Sequence, residues 1–315
     1  MDLERALKQQ RVIILDGALA TELEARGARL DDSLWSAKIL LEQPEMIRHL
    51  HLDYFLAGAD VAITASYQAS MEGFQGRGLS HRQARELIHR SVELAKEARE
   101  LFWAEPANRA GRIYPLVAAS VGSYGACLAD GSEYRGQYGL SVQKLAGWHR
   151  PRMEALLEAG PDLLACETIP CPEEAEALLY LLDEFSEAKA WLSFSCQDGR
   201  RISQGELFID VVKMVEGAPQ VLAVGVNCTP PRYIHSLLKE ACQVSRKPLV
   251  AYPNSGERWD AARHCWMEGE PAVGFGALPS EWFAEGARLI GGCCRTGPED
   301  VRALREMLLA GEESR

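Results

Sequence analysis

Three cysteines lie where two short apolar runs end. Cys228 closes the run 221–228, and the adjacent pair Cys293 and Cys294 closes the run 288–294. Such runs are typical of buried parallel strands, and α/β proteins carry their chemistry at the carboxyl ends of those strands. Adjacent cysteines seldom form a disulfide with each other, because the ring strains the peptide bond between them, but both thiolates can face one metal. With no fourth protein ligand, the three thiolates predict a zinc site with one open coordination position.

The open position of a zinc ion bound by three thiolates favours a soft ligand. A free thiol has a pKa of about 8.5 and is mostly protonated at neutral pH, whereas coordination to a metal deprotonates it. The protein thiolates also load negative charge onto the metal, which keeps a bound substrate sulfur nucleophilic. Hydrolytic zinc prefers histidine and carboxylate ligands with a bound water, and no His-Glu-x-x-His pattern is present. The cysteines therefore predict the alkylation of a thiol.

Two carboxylates also end apolar runs. Asp16 lies in Ile-Leu-Asp-Gly-Ala, and Glu167 lies in Leu-Ala-Cys-Glu-Thr. Each could merely cap a following helix, but as a pair opposite the metal they could bind a substrate ammonium group. The backbone N–H groups of Gly17 and Ala18 could then bind the substrate carboxylate. Together with the metal, these groups predict an amino acid that bears a thiol.

The remaining six cysteines are interpreted as small buried hydrophobic residues, which is the commonest state of a free cysteine. They are Cys127, Cys166, Cys171, Cys196, Cys242 and Cys265.

Alternating strands and helices must position these residues. Eight strands are predicted, at 12–18, 61–66, 116–122, 163–168, 190–196, 221–228, 248–254 and 288–294. Eight helices are predicted, at 45–58, 80–103, 142–160, 172–186, 208–217, 231–241, 280–286 and 298–309. Because no break in composition divides the units, residues 1–315 are expected to form one α/β domain, a (β/α)8 barrel of the TIM type. The alternative is an open doubly wound sheet, which would normally have fewer strands.

Two connections are long, 123–140 and 255–279, and loops of this length in a compact domain are usually lids or binding loops.

Composition argues against several classes of protein. The net charge of −11 is unfavourable for a nucleic-acid partner, which needs a basic face. No apolar run is long enough for a membrane span, and the first residues are too charged for a signal peptide. Nine cysteines, an odd number, do not indicate a disulfide framework. We therefore expect a cytoplasmic protein.

Five segments, in this order, resemble the zinc-dependent homocysteine S-methyltransferases. They are Leu-Asp-Gly-Ala, Cys-Glu-Thr, Val-Asn-Cys, Tyr-Pro-Asn-Ser-Gly-Glu and Gly-Gly-Cys-Cys-Arg-Thr, and the resemblance extends over residues 12–309. It implies a (β/α)8 barrel in which Cys228, Cys293 and Cys294 hold Zn2+ and the homocysteine sulfur completes the tetrahedron.

The resemblance also implies a set of substrate contacts. The homocysteine ammonium contacts of the family fall on Asp16 and Glu167. A polar residue after the second strand belongs to the family's pocket, and Ser66 is the matching residue. The expected product is methionine, so the resemblance implies a place in methionine biosynthesis.

Members of this family use betaine, methylfolate or a sulfonium as the methyl donor. Relatives of the folate type are usually fused to folate and cobalamin modules, and relatives of the betaine type tend to carry a C-terminal extension. The segment 120–136, Ser-Val-Gly-Ser-Tyr-Gly-Ala-Cys-Leu-Ala-Asp-Gly-Ser-Glu-Tyr-Arg-Gly, resembles the short members that use S-methylmethionine or S-adenosylmethionine. No G-x-G-x-x-G nucleotide fingerprint follows the first strand, which favours S-methylmethionine.

The 123–140 loop has groups suited to a sulfonium. Aromatic faces stabilise a soft cation by roughly 0.5 to 2 kcal/mol per contact, and Asp130, Glu133, Tyr134 and Tyr138 supply both carboxylates and rings. The alternative is a solvated loop without a ligand. Glu133 and Tyr134 are the residues that we assign to the donor site.

Two other functions stay open from the sequence. One is a betaine-type homocysteine methyltransferase, and the other is a zinc-binding sensor or storage protein without turnover. A zinc-binding protein without turnover would leave the pairing of Asp16 with Glu167 unexplained.

Overall fold

The computed structural model describes residues 1–30, 34–260, 265–267 and 275–309. Its main sheet has eight parallel strands, β1 (Ile13–Ile14), β2 (Val61–Ile63), β3 (Leu116–Gly122), β4 (Leu163–Ile169), β5 (Ala190–Phe194), β6 (Val221–Asn227), β7 (Leu249–Tyr252) and β10 (Ala287–Ile290). They pair in the order β1-β10-β7-β6-β5-β4-β3-β2. A parallel bridge between Leu15 and Val61 brings β1 beside β2. The predicted (β/α)8 barrel is confirmed.

Helices connect the strands. They are α1 (Leu3–Gln9), α2 (Ala20–Ala25), α3 (Ile39–Glu42), α4 (Pro44–Ala57), α5 (Met71–Gly76), α6 (His81–Ala104), α7 (Tyr124–Leu128), α8 (Val142–Glu158), α9 (Pro172–Glu184), α10 (Phe208–Glu216), α11 (Pro231–Ala241), α12 (Leu278–Ala284) and α13 (Pro298–Leu309). All eight predicted helices are present, with ends that differ by at most two residues. The sequence analysis missed the short α1, α2, α3, α5 and α7. Within the described part of the chain, no helix is both long and apolar enough to cross a membrane.

Helix ends follow local chemistry. Ser80 caps α6, where its hydroxyl accepts a hydrogen bond from the Gln83 N–H and the Gln83 side chain accepts one from the Ser80 N–H. This reciprocal capping box satisfies N–H groups that have no partner inside the helix. Pro172 begins α9, a position where a missing N–H costs nothing.

Several strands end earlier than the sequence predicts. β1 ends at Ile14 instead of residue 18, and β10 ends at Ile290 instead of residue 294. Beyond these points single hydrogen bonds to neighbouring strands continue for one or two residues, and then the two segments pair with each other, since the Gly292 N–H donates to the Asp16 carbonyl at 3.0 Å. Asp16 and the three cysteines Cys228, Cys293 and Cys294 therefore lie on irregular backbone at the barrel rim, one to four residues beyond the ends of their strands. Glu167 lies within β4, two residues before its end.

The core has two layers. Apolar side chains between the barrel and the helices form the outer layer, and a smaller cluster fills the barrel interior. The interior includes Trp191, whose Nε1 donates a hydrogen bond of 3.0 Å to the Tyr252 hydroxyl. Because a buried indole N–H needs a partner, this bond links the apolar interior to the polar groups at the rim.

The 255–279 connection contains a two-stranded antiparallel hairpin, formed by β8 (Arg258–Asp260) and β9 (Cys265–Met267). Residues 261–264 and 268–274 of this connection lie outside the described residues. The predicted lid or binding role of the connection remains a prediction.

Candidate metal and active site

Three thiols meet at the carboxyl ends of β6 and β10. The Sγ atoms of Cys228, Cys293 and Cys294 lie within 4.8 Å of one another, and the Cys228 and Cys294 sulfurs are 3.5 Å apart. Tetrahedral zinc with bonds of about 2.3 Å separates its sulfur ligands by about 3.8 Å, so this donor set fits a zinc ion. Within the described part of the chain, no other group of three or more His, Cys, Asp or Glu side chains comes this close together.

Hydrogen bonds among the three thiols shift the pKa of Cys228 in one direction and the pKa values of Cys293 and Cys294 in the other. Hydrogen bonds from the Cys293 thiol and then from the Cys294 thiol lower the pKa of Cys228 well below its usual range. The same hydrogen bonds to Cys228 raise the pKa of Cys293 and of Cys294. Three thiolates this close would repel one another, and a cation bound among them would relieve the repulsion.

The end of β7 places the two cysteine segments side by side. The Cys228 N–H donates to the Tyr252 carbonyl at 3.1 Å, and the Cys293 N–H donates to the Pro253 carbonyl at 2.8 Å. Cys228 also has a backbone φ of 46°, in the left-handed region that residues other than glycine rarely adopt. The neighbouring strand thus fixes both segments, and Tyr252 and Pro253 belong to the Tyr-Pro-Asn-Ser segment of the sequence.

Asn227 joins three strand ends, and the sequence analysis did not identify it as a site residue. Its side-chain oxygen accepts hydrogen bonds from the Thr168 N–H at 2.7 Å and from the Ser193 hydroxyl at 2.9 Å. Its amide donates to the Thr168 hydroxyl at 2.7 Å. Asn227 is completely buried and so fixes the ends of β4, β5 and β6 together. The sequence feature that could have identified Asn227 is a polar amide at the end of an apolar strand.

Glu167 lies in the same cavity as the thiols, as predicted. It is 6% exposed and accepts a hydrogen bond from the Ser120 hydroxyl. Burial raises its pKa to about 7, although hydrogen bonds from Ser120 and Tyr252 oppose the rise. Neither Ser120 nor Tyr252 was identified from the sequence.

Asp16 is a buried carboxylate with one oxygen free. Its Oδ2 accepts a hydrogen bond from the Ile63 N–H at 2.8 Å, whereas its Oδ1 has no partner among the described residues. Burial raises its pKa well above the usual range, and the negative charge of Glu167 adds to the rise. A cation bound near both carboxylates would relieve this cost. The arrangement suits the predicted ammonium contact.

Gly17 and Ala18 both line the cavity. The Ala18 N–H, however, donates to the Thr296 carbonyl at 2.9 Å. It is therefore not free for a substrate carboxylate, and of the two predicted backbone donors Gly17 is the one that stays available.

Ser66 lies behind the cavity wall. Its hydroxyl donates to the Ser120 carbonyl at 2.8 Å and is 2.7 Å from the Thr64 hydroxyl. Thr64, and not Ser66, is among the residues that line the cavity. The difference arises because β2 ends at Ile63, three residues earlier than predicted.

The 123–140 loop contributes two of its four predicted donor residues. Glu133 and Tyr134 line the cavity, on a short 3-10 turn at Ser132–Tyr134. Asp130 does not, because it accepts hydrogen bonds from the Ser132 N–H and hydroxyl and so caps that turn. Tyr138 does not either, because its hydroxyl accepts a hydrogen bond of 3.1 Å from the Gly125 N–H. Asp130 and Tyr138 therefore lie outside the cavity lining in this structure.

Glu133 and Tyr134 face the thiols. The Tyr134 hydroxyl is 3.0 Å from the Cys228 sulfur. Glu133 is 8% exposed, burial raises its pKa to about 7, and its Oε2 has no partner among the described residues. Trp35 and Tyr67, which the sequence analysis did not identify, add further aromatic surface to the same cavity. The cavity has an empty volume of about 880 Å³ including its open mouth, which suits a small-molecule site.

Of the six cysteines interpreted as small buried residues, the structure buries three. Cys166, Cys171 and Cys196 are buried, and Cys127 is half-buried. Cys242 is exposed, because it follows the last residue of α11 where the chain meets solvent. The side chain of Cys265 lies outside the described residues.

Comparison with known proteins points to one family. The family model described as homocysteine S-methyltransferase matches residues 13–308. The homocysteine S-methyltransferase YbgG of Bacillus subtilis (strain 168) is 53% identical over 302 residues, which are 96% of this chain and 96% of that protein. A homocysteine S-methyltransferase of Escherichia coli (strain K12) is 53% identical over 304 residues, which cover 96% and 97%. The metallated form of the E. coli homocysteine methyltransferase MmuM has a TM-score of 0.86 and 51% identity, covering 96% of this chain and 98% of that one. This chain therefore belongs to the homocysteine S-methyltransferase family.

Proposed function

We propose that this chain transfers a methyl group from a sulfonium donor to the thiol of homocysteine and so produces methionine. S-methylmethionine is the preferred donor, and S-adenosylmethionine is the alternative. The observation that carries the proposal is the layout of one cavity. Glu167 of β4 and Glu133 of the 123–140 loop line it together with the three thiols. Asp16 is buried directly before the lining residue Gly17, close enough to Glu167 for their charges to interact. These carboxylates supply separate anionic groups for the ammonium group of homocysteine and for the positive sulfonium of the donor.

The homocysteine half of the site consists of the thiols, the carboxylate pair and one backbone group. A zinc ion held by Cys228, Cys293 and Cys294 would offer its fourth coordination position to the homocysteine sulfur and lower the pKa of that thiol. Asp16 and Glu167 bind the ammonium group, since the Oδ1 of Asp16 has no protein partner in the described structure. The Gly17 N–H donates to the substrate carboxylate.

The donor half of the site consists of Glu133 and aromatic faces. The buried carboxylate of Glu133 attracts the positive sulfonium, and the rings of Tyr67 and Tyr134 stabilise it by cation–π contact. A lone pair of the homocysteine sulfur forms the new S–CH3 bond. The electron pair of the breaking C–S bond stays on the donor sulfur, which leaves as a neutral thioether and needs no general acid. The protein's main task is therefore to align the two sulfurs and the methyl carbon.

A donor screen tests the proposed function. With homocysteine as acceptor, we expect the purified protein to form methionine fastest from S-methylmethionine, more slowly from S-adenosylmethionine, and not from betaine. With S-methylmethionine, each turnover should yield two methionines from one donor and one homocysteine. Methionine quantified by mass spectrometry, with a deuterated donor methyl, measures both properties. Robust turnover with betaine would favour the betaine-type alternative, and no turnover with any donor would favour a zinc-binding protein without catalysis.

Replacement of Glu133 by Gln tests the donor half. Glu133→Gln removes the negative charge from the donor side, so the KM for S-methylmethionine should rise about tenfold while the KM for homocysteine stays at its wild-type value. Asp130→Asn is the matched control, because Asp130 belongs to the same loop but does not line the cavity, and asparagine keeps the oxygen that accepts the hydrogen bonds from Ser132. Equal donor KM values in Glu133→Gln and wild type would show that the donor binds elsewhere.

A further inference from the structure

A buried group of three charged or ionisable side chains lies behind the loop that carries Glu133 and Tyr134. His149 and Arg152 come from α8, and Glu174 comes from the first turn of α9. All three are at most 1% exposed, and none of them lines the cavity. We call this group the Arg–His–Glu bridge. The methyl-transfer chemistry described above makes no use of it.

Hydrogen bonds fix the charge state of the Arg–His–Glu bridge. Arg152 Nη2 is 2.9 Å from His149 Nδ1, and His149 Nε2 is 2.8 Å from Glu174 Oε1. Because a guanidinium only donates and a carboxylate accepts, Nδ1 accepts and Nε2 donates, which describes a neutral imidazole. Burial lowers the pKa of His149 and favours the same form. The bridge is thus a buried Arg–Glu ion pair joined through a neutral histidine. Removal of either charge would leave the other buried without compensation.

Both charged ends of the bridge hold backbone groups at the start of the 123–140 loop. Arg152 donates to the Gly122 carbonyl at the end of β3 and to the Tyr67 carbonyl at 3.4 Å. Glu174 Oε1 accepts a hydrogen bond of 2.5 Å from the N–H of Tyr124, the first residue of α7. The bridge therefore fixes the backbone on both sides of the point where the loop leaves the barrel.

Two close glycine contacts connect this backbone to the cavity. A Cβ on Gly122 would lie 2.3 Å from the Tyr67 carbonyl oxygen, and a Cβ on Gly125 would lie 2.5 Å from the Glu133 nitrogen. Such distances leave no room for any side chain, so the segments pack directly through the glycines. Tyr67 thus rests on the end of β3, and the turn with Glu133 and Tyr134 rests on α7.

We propose that Arg152, His149 and Glu174 are positioning residues for the methyl donor, acting through the backbone that carries Tyr67 and Glu133. The homocysteine half has further supports that do not involve the bridge, namely the hydrogen bonds around the ends of β4, β6 and β7. It contacts β3 through the hydrogen bond that Glu167 accepts from Ser120, two residues before Gly122. Loss of the bridge should therefore impair the donor half and spare the homocysteine half. This inference rests on the proposed function, because it assumes that the donor binds against the loop.

Arg152→Met tests the inference, since it removes every hydrogen bond from the guanidinium but keeps an unbranched side chain. We expect the KM for S-methylmethionine to rise about tenfold or more, as for a misplaced binding group. The KM for homocysteine and the zinc content should stay at wild-type values. Arg152→Lys, which keeps the charge, should fall between wild type and Arg152→Met. Trypsin should cleave after the exposed Arg135 of the loop faster in Arg152→Met than in wild type.

Arg99→Met is the matched control. Arg99 is 8% exposed and forms a 2.7 Å ion pair with Asp162, which lies just before β4 at the opposite end of the barrel. Arg99→Met breaks this ion pair and should lower the unfolding temperature, but it should change neither the donor KM nor the cleavage after Arg135. The comparison separates a positioning role from the general cost of breaking a buried ion pair.

A wild-type donor KM in folded Arg152→Met, or an equal rise in both KM values, would overturn the inference. If Arg152→Met does not fold, Gly125→Ala takes its place, because the added Cβ pushes against the Glu133 nitrogen while the bridge stays intact. An unchanged donor KM in Gly125→Ala would then count against the inference. Failure of the proposed function looks different, because the wild-type enzyme itself would not turn over either sulfonium. Cleavage after Arg135 would still report on the bridge.

Discussion

Replacement of Cys294 by Ser should abolish zinc binding and methyl transfer while the barrel stays folded. Cys294 is one of three thiols that converge at the rim, and serine offers a poor ligand for zinc in its place. Since substitutions outside the ligand shell already weaken metal binding by roughly 10- to 100-fold, loss of a ligand should weaken it further. The barrel core is extensive and apolar and does not include Cys294, so the fold should not depend on the metal.

Metal analysis by mass spectrometry and far-UV circular dichroism measure the two halves of this prediction. Cys242→Ser is the matched control, because Cys242 is exposed after α11 and does not belong to the thiol cluster. It should keep one zinc per chain and wild-type activity. Chelation of the wild-type metal should inactivate the enzyme without unfolding it. Full zinc content in Cys228→Ser, Cys293→Ser and Cys294→Ser alike would refute the assignment.

Asp16→Asn and Glu167→Gln should weaken homocysteine binding far more than zinc binding. Each change removes a charge-assisted hydrogen bond to the substrate ammonium, worth about 1.5 to 3 kcal/mol, so the homocysteine KM should rise about 10- to 150-fold. Steady-state kinetics at saturating donor and zinc analysis on the same samples separate the two effects. The donor KM serves as the internal control and should not change.

The opposite pattern would reassign these carboxylates. A variant with a normal homocysteine KM and little zinc would place its carboxylate in the metal shell. Glu167 also accepts a hydrogen bond from Ser120, so Ser120→Ala should show a weaker version of the Glu167→Gln effect. No effect on homocysteine in any of these variants would remove the ammonium site from the account.

The barrel and the thiol cluster could be predicted because each depends on a simple pattern. Alternating apolar runs and helical segments define eight βα units, and a closed barrel brings the ends of β6 and β10 to one rim. Cys228, Cys293 and Cys294 therefore come together although 64 residues separate Cys228 from Cys293 in the chain. Glu167 follows from the same logic, since it lies near the carboxyl end of β4.

Residues near the rim were harder to place, because there the chain leaves regular structure. The sequence assigns Ser66 to the pocket, but Thr64 lines the cavity, because β2 ends three residues earlier than predicted. Asp130 and Tyr138 have the right chemistry for a sulfonium, but hydrogen bonds within the loop hold them out of the cavity. Periodicity and residue type carry no information about such contacts.

Supporting contacts between distant segments could not be predicted at all. Asn227 forms two hydrogen bonds with Thr168 and a third with the hydroxyl of Ser193. Arg152 reaches the end of β3 from α8. Each partner lies on a different element, so only the folded chain brings the donor and the acceptor together.

The coordination of zinc with and without homocysteine tests the central claim most directly. X-ray absorption at the zinc edge counts sulfur neighbours, and three protein thiolates predict three sulfurs at about 2.3 Å in the resting enzyme. Addition of homocysteine should raise the count to four at the same distance, with the oxygen or nitrogen contribution lost. A shell that stays at three sulfurs when homocysteine is bound would contradict the account, because the substrate thiol would then not be activated at the metal.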